Sequence, residues 1–191
     1  MLGMLKKKTS GHMTITLNAK LQPMHRADLE DAFEAAAKKS KLKAKVDGGG
    51  TLLQENGEVK ECDIEIQLKD ASEETITAVV GLFGAMLAPI GSRYTVEGQD
   101  PIAFGRHQGL GLYLNGTDLP DQVYAQCDSN HVYSECERLL EGVGQVNSYW
   151  QGPTETALYM YGEDFETMRS RIQELVDTYP LCQKARIVRL A

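Results

Sequence analysis

The 191-residue chain is long enough to bury one large core or two small ones, and its 42% hydrophobic and 25% charged residues are typical of a globular protein. Residues 1–98 carry 13 basic and 14 acidic side chains, and residues 99–191 carry 7 and 13, so most of the net charge of −7 lies in the second half. This charge argues against nucleic acid as a partner, because affinity for a phosphate backbone comes mostly from Lys and Arg. No stretch approaches the roughly 20 apolar residues of a membrane-spanning helix, so we expect no membrane association.

The N-terminal residues bear on cellular location, and the cysteines bear on redox state and metal binding. Residues 1–12 contain three consecutive lysines without a following apolar segment, which is not the pattern of a secretory signal. We interpret them as a disordered leader or an added segment, and we expect a cytoplasmic protein. The cysteine spacing matches no zinc motif, and the apolar surroundings of Cys62, Cys136 and Cys182 indicate buried, reduced thiols. We therefore predict no metal and no cofactor.

The first half of the chain predicts the order strand, helix, strand, strand, helix, strand. Alternation of apolar and polar residues marks the strands, and apolar residues at helical spacing mark the helices. In chain order the elements are a strand at 13–21, a helix at 25–40, a strand at 41–46, a hairpin turn at Asn56-Gly57, a strand at 61–68, a helix capped by Ser72 and a strand at 93–97.

The same order then recurs. Residues 99–108 are punctuated by Gly and Pro without a sustained period, which is typical of a linker. Beyond them the predicted elements are a strand at 109–116, a long loop at 117–128, a helix capped by Ser129, strands at 145–152 and 154–161, a helix from Asp164 and a strand at 185–191.

A βαββαβ unit is the ferredoxin-like arrangement, in which four antiparallel strands in the order 4-1-3-2 carry both helices on one face. The sequence therefore predicts an α+β protein of two tandem, duplicated ferredoxin-like units. Unit 1 covers residues 13–98, the linker covers 99–108, and unit 2 covers 109–191. Because this fold hosts many unrelated activities, it does not by itself indicate a function.

Tyrosines follow the central strands of the second half. Tyr159 and Tyr161 are two positions apart with apolar residues between and beside them, so in a strand they share one face. The same alternation is expected to place Tyr113, Tyr149 and Arg189 on that face, which the predicted helices leave open. We predict these five residues as a candidate binding surface.

Three interpretations of this surface remain open. It can contact a protein partner or a second copy of the chain, since Tyr and Arg are enriched at interface hot spots. It can be internal core, covered by the linker or by the other half. It can also hold a small molecule. Aromatic residues on central strands also occur in RNA-recognition motifs, but the second half is acidic and lacks their basic, glycine-containing signature.

No catalytic residue is predicted. Glu61, Asp63 and Glu65 share the open face of the first sheet, where Lys43 and Lys45 on the neighbouring strand can pair with them, and a charge-paired surface explains them best. Residues 46–51 contain three glycines, yet they precede no helix and contain no lysine, so we interpret them as a bulge or flexible hairpin rather than a phosphate-binding loop.

The function expected from these observations is a non-enzymatic, bacterial-type binding protein that recognises a protein partner, for example as an immunity factor or an adaptor. The alternative is a small-molecule-sensing protein or an enzyme with a pocket between the two units, since clefts between domains are common ligand sites. A deep, polar cleft favours the alternative, and a flat, exposed tyrosine surface favours the partner.

Overall fold

The computed structural model describes residues 9–191. Residues 1–8 of the predicted leader lie outside the described residues. The end of that segment differs from the prediction, because Gly11 and His12 already belong to the first strand. Within the described part of the chain, no helix is both long enough and apolar enough to cross a membrane.

The first half builds one sheet and two helices. Its elements are β1 (Gly11–Leu17), α1 (Pro23–Lys39), β2 (Ala44–Leu53), β3 (Val59–Leu68), α2 (Glu73–Ala85), β4 (Ser92–Val96) and β5 (Ile102–Phe104). The strand β5 lies within the segment predicted as a linker, residues 99–108, and pairs antiparallel with β4. At α2 the predicted cap is confirmed, since the Ser72 side chain accepts a hydrogen bond from the Thr75 N–H.

The second half builds the other sheet. Its elements are β6 (Gln108–Asn115), α3 (Asp121–Gln126), α4 (Ser129–Leu139), β7 (Gly144–Gln151), β8 (Glu155–Gly162), α5 (Phe165–Thr178), a short 3-10 helix (Pro180–Cys182) and β9 (Arg186–Arg189). The helix α3 lies in the segment predicted as a loop. The cap of α4 is Asp128 and not Ser129, because the Asp128 carboxylate accepts a 2.8 Å hydrogen bond from the Asn130 N–H.

Both sheets are antiparallel and share one topology. Their strand orders are β2-β3-β1-β4-β5 and β7-β8-β6-β9. Apart from β5, each is the predicted 4-1-3-2 order read from the opposite edge, and the predicted fold class is confirmed. The helices of the first half lie on one face of their sheet, where Phe33 of α1 stacks on Phe83 of α2 with ring centroids 4.7 Å apart.

The hairpin between β2 and β3 has the predicted Asn-Gly turn. The Gly57 N–H donates to the Gln54 carbonyl at 3.0 Å, and the Gln54 N–H donates to the Glu58 carbonyl at 2.7 Å. This is a three-residue loop whose last residue must adopt a positive φ, and Gly57 has φ +82°. The turn places Glu58 immediately before β3, where its side chain is buried.

The glycines predicted as a bulge or flexible hairpin lie inside β2. Pairing with β3 shifts register between Val46 and Gly48, so the bulge is confirmed and Asp47 is its extra residue. At Gly49 a side chain would collide with Arg26 of α1 and with the Asp63 carbonyl, which explains why glycine is required there.

Two hydrophobic cores form, and one of them joins the halves. The second core lies between the second sheet and its own helices. The first core lies under α1 and α2, and at one end it continues into side chains of the second half. The residues that the second half contributes to it are Tyr113, Trp150, Ala157, Tyr159 and Tyr161. The two halves therefore pack together through the tyrosine-bearing side of the second sheet.

Candidate functional site

Tyr113, Tyr159 and Tyr161 share one face of the second sheet, as the alternation predicted. In the β6–β8 pairing Tyr113 is opposite Ala157, and Tyr159 and Tyr161 are opposite glycines of β6. Their exposed fractions are only 5%, 0% and 1%, respectively. The expectation of an open tyrosine surface is therefore corrected, and of the interpretations left open by the sequence, internal core describes these three side chains.

The buried tyrosine hydroxyls converge on a carboxylate from the other half. Tyr113 and Tyr159 donate hydrogen bonds of 2.5 Å and 2.7 Å to the same oxygen, Oε1 of Glu58. The Lys20 ammonium lies 2.9 Å from that oxygen, and its Nζ also donates to the Val59 carbonyl at 3.0 Å. These contacts satisfy a charge pair that would otherwise be costly to bury.

Protonation states in this cluster are fixed. Burial raises the pKa of Glu58, but hydrogen bonds from Tyr113, Lys20 and Tyr159 outweigh it and lower the pKa to about 2. Burial and the Glu58 carboxylate raise the pKa of both tyrosines. Because Glu58 is ionised and the phenols are protonated at neutral pH, the cluster does not suit general acid–base catalysis and instead locks the two halves together.

Tyr149 does not join the other tyrosines. The β7–β8 pairing shifts register between Val146 and Ser148, so Asn147 is an extra residue in β7. Beyond this bulge every side chain faces opposite to expectation. Trp150, opposite Ala157, takes the tyrosine side, and Tyr149, opposite Leu158, takes the helix-covered side with 39% of its surface exposed.

Arg189 is also on the other face. It pairs with Leu110 in β6, and its guanidinium lies 4.2 Å from the ring centre of Phe165 in α5. The arginine beside the tyrosines is Arg186, which lies 4.0 Å from the ring centre of Tyr113 and makes a two-pronged ion pair with Glu155. A binding role for Tyr149 and Arg189 stays a prediction, since both remain accessible.

The exposed side of Tyr149 lines a groove between the two halves. We call it the seam groove, and its volume is about 680 Å³. Its lining residues are Gln22, Pro23, Met24, Asn56 and Gly57 from the first half, and Tyr149, Trp150, Gln151, Gly152 and Pro153 from the second. None of them is charged. Met24 is 59% exposed, so an apolar side chain stands open at the groove's wall.

A buried hydrogen-bond cluster holds the groove's first wall against β7. The hydroxyl of Ser148, which is fully buried, accepts a hydrogen bond from the Gln22 N–H at 3.3 Å and lies 3.0 Å from Nδ1 of His25. The His25 ring meets the Tyr149 ring edge to face, with centroids 5.3 Å apart. Burial lowers the pKa of His25, and Asp28 partly opposes this. Since Ser148 is inaccessible, it positions the wall and is no nucleophile.

A second cavity begins on the other side of Tyr149. We call it the side pocket; its volume is about 480 Å³, and it shares Tyr149 and Gln151 with the seam groove. Its remaining lining residues are Ser129, Asn130, Tyr133, Thr156 and Leu158. The two cavities therefore flank the same end of β7.

Other candidates from the sequence have structural partners. Glu61 makes a two-pronged hydrogen bond with Arg93, and Asp63 accepts from the Thr16 hydroxyl at 2.6 Å. Among residues 9–191, no group of three or more His, Cys, Asp or Glu side chains could hold a metal ion. Burial raises the pKa of the Cys62 and Cys136 thiols to about 12, as expected for structural thiols in apolar surroundings.

The seam groove and the two hydrogen-bond clusters near it, around Glu58 and around Ser148, could not be predicted from the sequence. Nothing in the sequence indicates that Glu58 and Lys20 are buried and paired, because a glutamate beside a turn and a lysine after a strand are usually solvated. Ser148 and His25 are 123 positions apart, and only the packing of the halves brings them together.

Comparison with known proteins identifies no relative by sequence. No known protein family matches the chain, and no curated protein matches it. Solved structures resemble it at low identity. A mutant chlorite dismutase from Candidatus Nitrospira defluvii is 9% identical, with 97% of this chain and 92% of that chain covered and a TM-score of 0.32.

Two further structures show a similar degree of resemblance. The regulatory subunit of aspartate kinase from Thermus thermophilus is 12% identical, with 88% and 97% of the two chains covered and a TM-score of 0.29. The first two RRM domains of the yeast poly(U)-binding protein are 7% identical, with 94% and 99% covered and a TM-score of 0.25. None of these similarities bears on what this chain binds.

Proposed function

We propose that the chain is a non-enzymatic binding protein that recognises a protein partner through the seam groove. The observation that carries the proposal is the open, uncharged groove at the junction of the halves, with Met24 59% and Tyr149 39% exposed at its walls. Tyr and Trp are enriched at the centres of protein interfaces, and exposed methionine adapts to varied partner surfaces.

Chemistry at the groove supports binding rather than catalysis. Its lining contains no Asp, Glu, Lys, Arg, His or Cys. Such side chains serve most often as nucleophiles or general acids and bases in enzymes. The nearby Ser148 is buried, and its hydroxyl lies 3.0 Å from Nδ1 of the half-buried His25.

The charge of the protein supports a basic partner. The net charge is −7, and residues 99–191, which supply half of the groove, hold most of it. A field of this sign attracts a basic protein over a distance and speeds its association, while the uncharged groove provides the contact. Immunity factors and adaptors, the two examples expected from the sequence, are proteins of this kind.

The test is affinity capture from cells with three forms of the chain as bait: the native chain, a groove variant and a control. Met24→Ala and Tyr149→Ala are combined as the groove variant, and Ile102→Ala serves as the matched control, because Ile102 is 45% exposed outside the groove. We expect a protein that is captured by the native chain and by the control but not by the groove variant. Calorimetry with that protein, once purified, should show the same order of affinities. Equal capture by all forms would exclude the seam groove as the binding site of the captured protein.

The alternative, a small-molecule-sensing protein or an enzyme, uses the same groove. Its volume of about 680 Å³ is within the range of about 300–1,000 Å³ found for ligand pockets, and it lies between the halves. Native mass spectrometry of the chain purified from its host separates the two. A small molecule retained by the native chain and lost in the groove variant would favour this alternative.

A further inference from the structure

The two sheets end in four outer strands, β2, β5, β7 and β9. An outer strand presents unpaired backbone N–H and C=O groups to which another chain can add, and proteins usually guard such edges with charge, brevity or a covering element.

The edge of β2 contains the charged residues Lys45 and Asp47, and side chains of α1 cover it from Val46 to Gly49. The Val46 N–H donates to the Glu34 carboxylate of that helix at 3.2 Å. Three positions on, the Arg26 side chain lies against Gly49 and pairs with Glu30. A further strand would have to displace these side chains from the β2 edge.

The edges of β5 and β9 are guarded in other ways. β5 has only three residues, and Pro101 precedes it. β9 has four residues, of which Arg186 and Arg189 are charged and paired with carboxylates. Short length and charge both disfavour pairing with another chain.

The edge of β7 differs from the other three. Its eight residues, GQVNSYWQ, include no charge and no proline. The first half covers the middle of the strand, where Gln22 and His25 contact Ser148 and the His25 ring packs on one side of the Tyr149 ring. From Tyr149 to Gln151 the strand also borders the seam groove.

The backbone of this open stretch points toward the groove. The Gly152 N–H donates to the Glu155 carbonyl at 2.9 Å, which closes the β7–β8 hairpin. Because hydrogen-bonded pairs alternate in an antiparallel ladder, Trp150 and Ser148 bond to β8, and the N–H and C=O groups of Tyr149 and Gln151 point away from it. Among residues 9–191, the Tyr149 carbonyl receives only a long 3.5 Å contact from the Ser148 hydroxyl.

We propose that the partner presents an extended, uncharged segment that adds to β7 as a fifth strand of the second sheet, with a large apolar side chain in the side pocket. This inference rests on the proposed function and specifies how the partner is recognised. Five consecutive residues, Tyr149 to Pro153, line the groove, so a segment of about five residues can run along it. Main-chain hydrogen bonds then give affinity, and the pocket gives specificity.

The side pocket fits this arrangement. Tyr149 and Gln151 project into it from the edge, and Tyr133 and Leu158 form its far side. In a paired strand, alternate residues project to the same face as Tyr149, so a residue of the segment that lies beside Tyr149 faces this pocket. The pocket's volume of about 480 Å³ accommodates a large aliphatic or aromatic side chain.

A second copy of the chain fits the edge less well. In a two-fold pairing of β7 with β7, each copy would bring its own Pro23–Met24 wall toward the edge of the other. Those residues already occupy the far side of the groove. A single linear segment enters the groove without this conflict.

The test uses a phage-displayed library of random linear 12-residue peptides, selected against the full chain. Gln151→Pro removes the outward N–H without removing a bond to β8, because proline is tolerated at such edge positions. Gln151→Ala is its matched control, since it removes the same side chain and keeps the N–H. We expect enriched peptides with a large apolar residue, bound by the alanine variant with at most about threefold loss and by the proline variant with at least about tenfold loss.

A second arm uses the native chain and does not depend on how the variants fold. In an added strand, every second backbone N–H of an enriched peptide bonds to β7. N-methylation at those nitrogens should abolish binding, and N-methylation at the nitrogens between them should leave binding unchanged. Absence of enriched peptides, equal binding by the two variants, or equal tolerance of methylation at all positions would overturn strand addition. If the cell-derived partner binds both Gln151 variants equally and loses affinity for the groove variant, strand addition fails and the proposed function stands.

Discussion

Tyr159 and Glu58 are 101 positions apart in the sequence, and the tyrosine hydroxyl donates a 2.7 Å hydrogen bond to the glutamate carboxylate. Each residue belongs to a different half of the molecule. The bond is one of three that the Oε1 oxygen of Glu58 makes, with Tyr113 and Lys20 as the other partners. The junction between the halves is therefore organised around one buried carboxylate.

Removing that carboxylate should destabilise the whole protein. Glu58→Gln leaves the Lys20 ammonium, which is 14% exposed, without its counter-ion. Breaking a buried ion pair by removing one partner costs about 3–5 kcal/mol, and we expect a loss near the lower end because the amide still accepts hydrogen bonds. Urea unfolding measures it. Glu55→Gln, in the same hairpin but exposed, should change stability by less than about 0.5 kcal/mol.

The same carboxylate should make stability depend on pH. The pKa of Glu58 is lowered from 4.5 to about 2 in the folded state, so the unfolded chain binds this proton more readily between these values. The contribution of Glu58 to the free energy of unfolding is therefore complete above about pH 4.5 and is lost as the pH falls toward 2. The stability difference between the native chain and Glu58→Gln should shrink as urea melts are moved from neutral to acidic pH. A difference independent of pH would contradict the assignment.

The double change Tyr159→Ala plus Tyr161→Ala distinguishes core from surface. Both side chains are at most 1% exposed, and truncating a large buried aromatic residue costs about 3–5 kcal/mol. We expect a large drop in melting temperature, or failure to fold. Tyr149→Ala should lower the melting temperature only slightly, because its side chain is 39% exposed. A double variant as stable as the native chain would show that these two tyrosines are not core residues.

The neighbouring glycines of β2 give a matched pair of substitutions. A Cβ at Gly49 would collide with the Arg26 side chain and the Asp63 carbonyl, and at Gly50 it would meet no atom within 4 Å. We expect Gly49→Ala to destabilise the protein by about 1–3 kcal/mol, through overpacking. Gly50→Ala should be neutral or stabilising by up to about 1 kcal/mol, because alanine loses less backbone freedom on folding. Chemical denaturation of both variants provides the comparison.

The four cysteines should react with thiol reagents at different rates. Cys62, Cys136 and Cys182 are buried, and burial raises the pKa of all three thiols, to about 12, 12 and 11. Cys127 is partly exposed. We expect one fast-reacting thiol per native chain, removed by Cys127→Ser, and four thiols after denaturation. Fewer than four thiols in unfolded, unreduced protein would instead indicate a disulfide.

The fold could be predicted because each element carries its own local signal. Alternation in β1, β3 and β8, the Asn56-Gly57 turn and the Ser72 cap of α2 are properties of short stretches of sequence. The strand β5 and the helix α3 escaped prediction because each is short and lies among Gly and Pro. Neither changes the order of the main elements.

The facing of side chains in the second sheet could be predicted only in part. Alternation places Tyr113, Tyr159 and Tyr161 correctly on one face. It fails for Tyr149, because the bulge at Asn147 leaves no mark in an otherwise regular pattern. It fails for Arg189, because both faces of the sheet are covered, so that Ile187 and Val188 are equally suited to either side.

Glu58 and its two tyrosines also have a consequence for the time course of synthesis. A ribosome adds about 5–20 residues per second, so the 101 positions between Glu58 and Tyr159 take roughly 5–20 s to translate. During that interval the hairpin that carries Glu58 has been made, but the set of second-half side chains that closes the end of the first core is still incomplete. The nascent chain thus passes through a state in which this end of the core stays open to water and to chaperones.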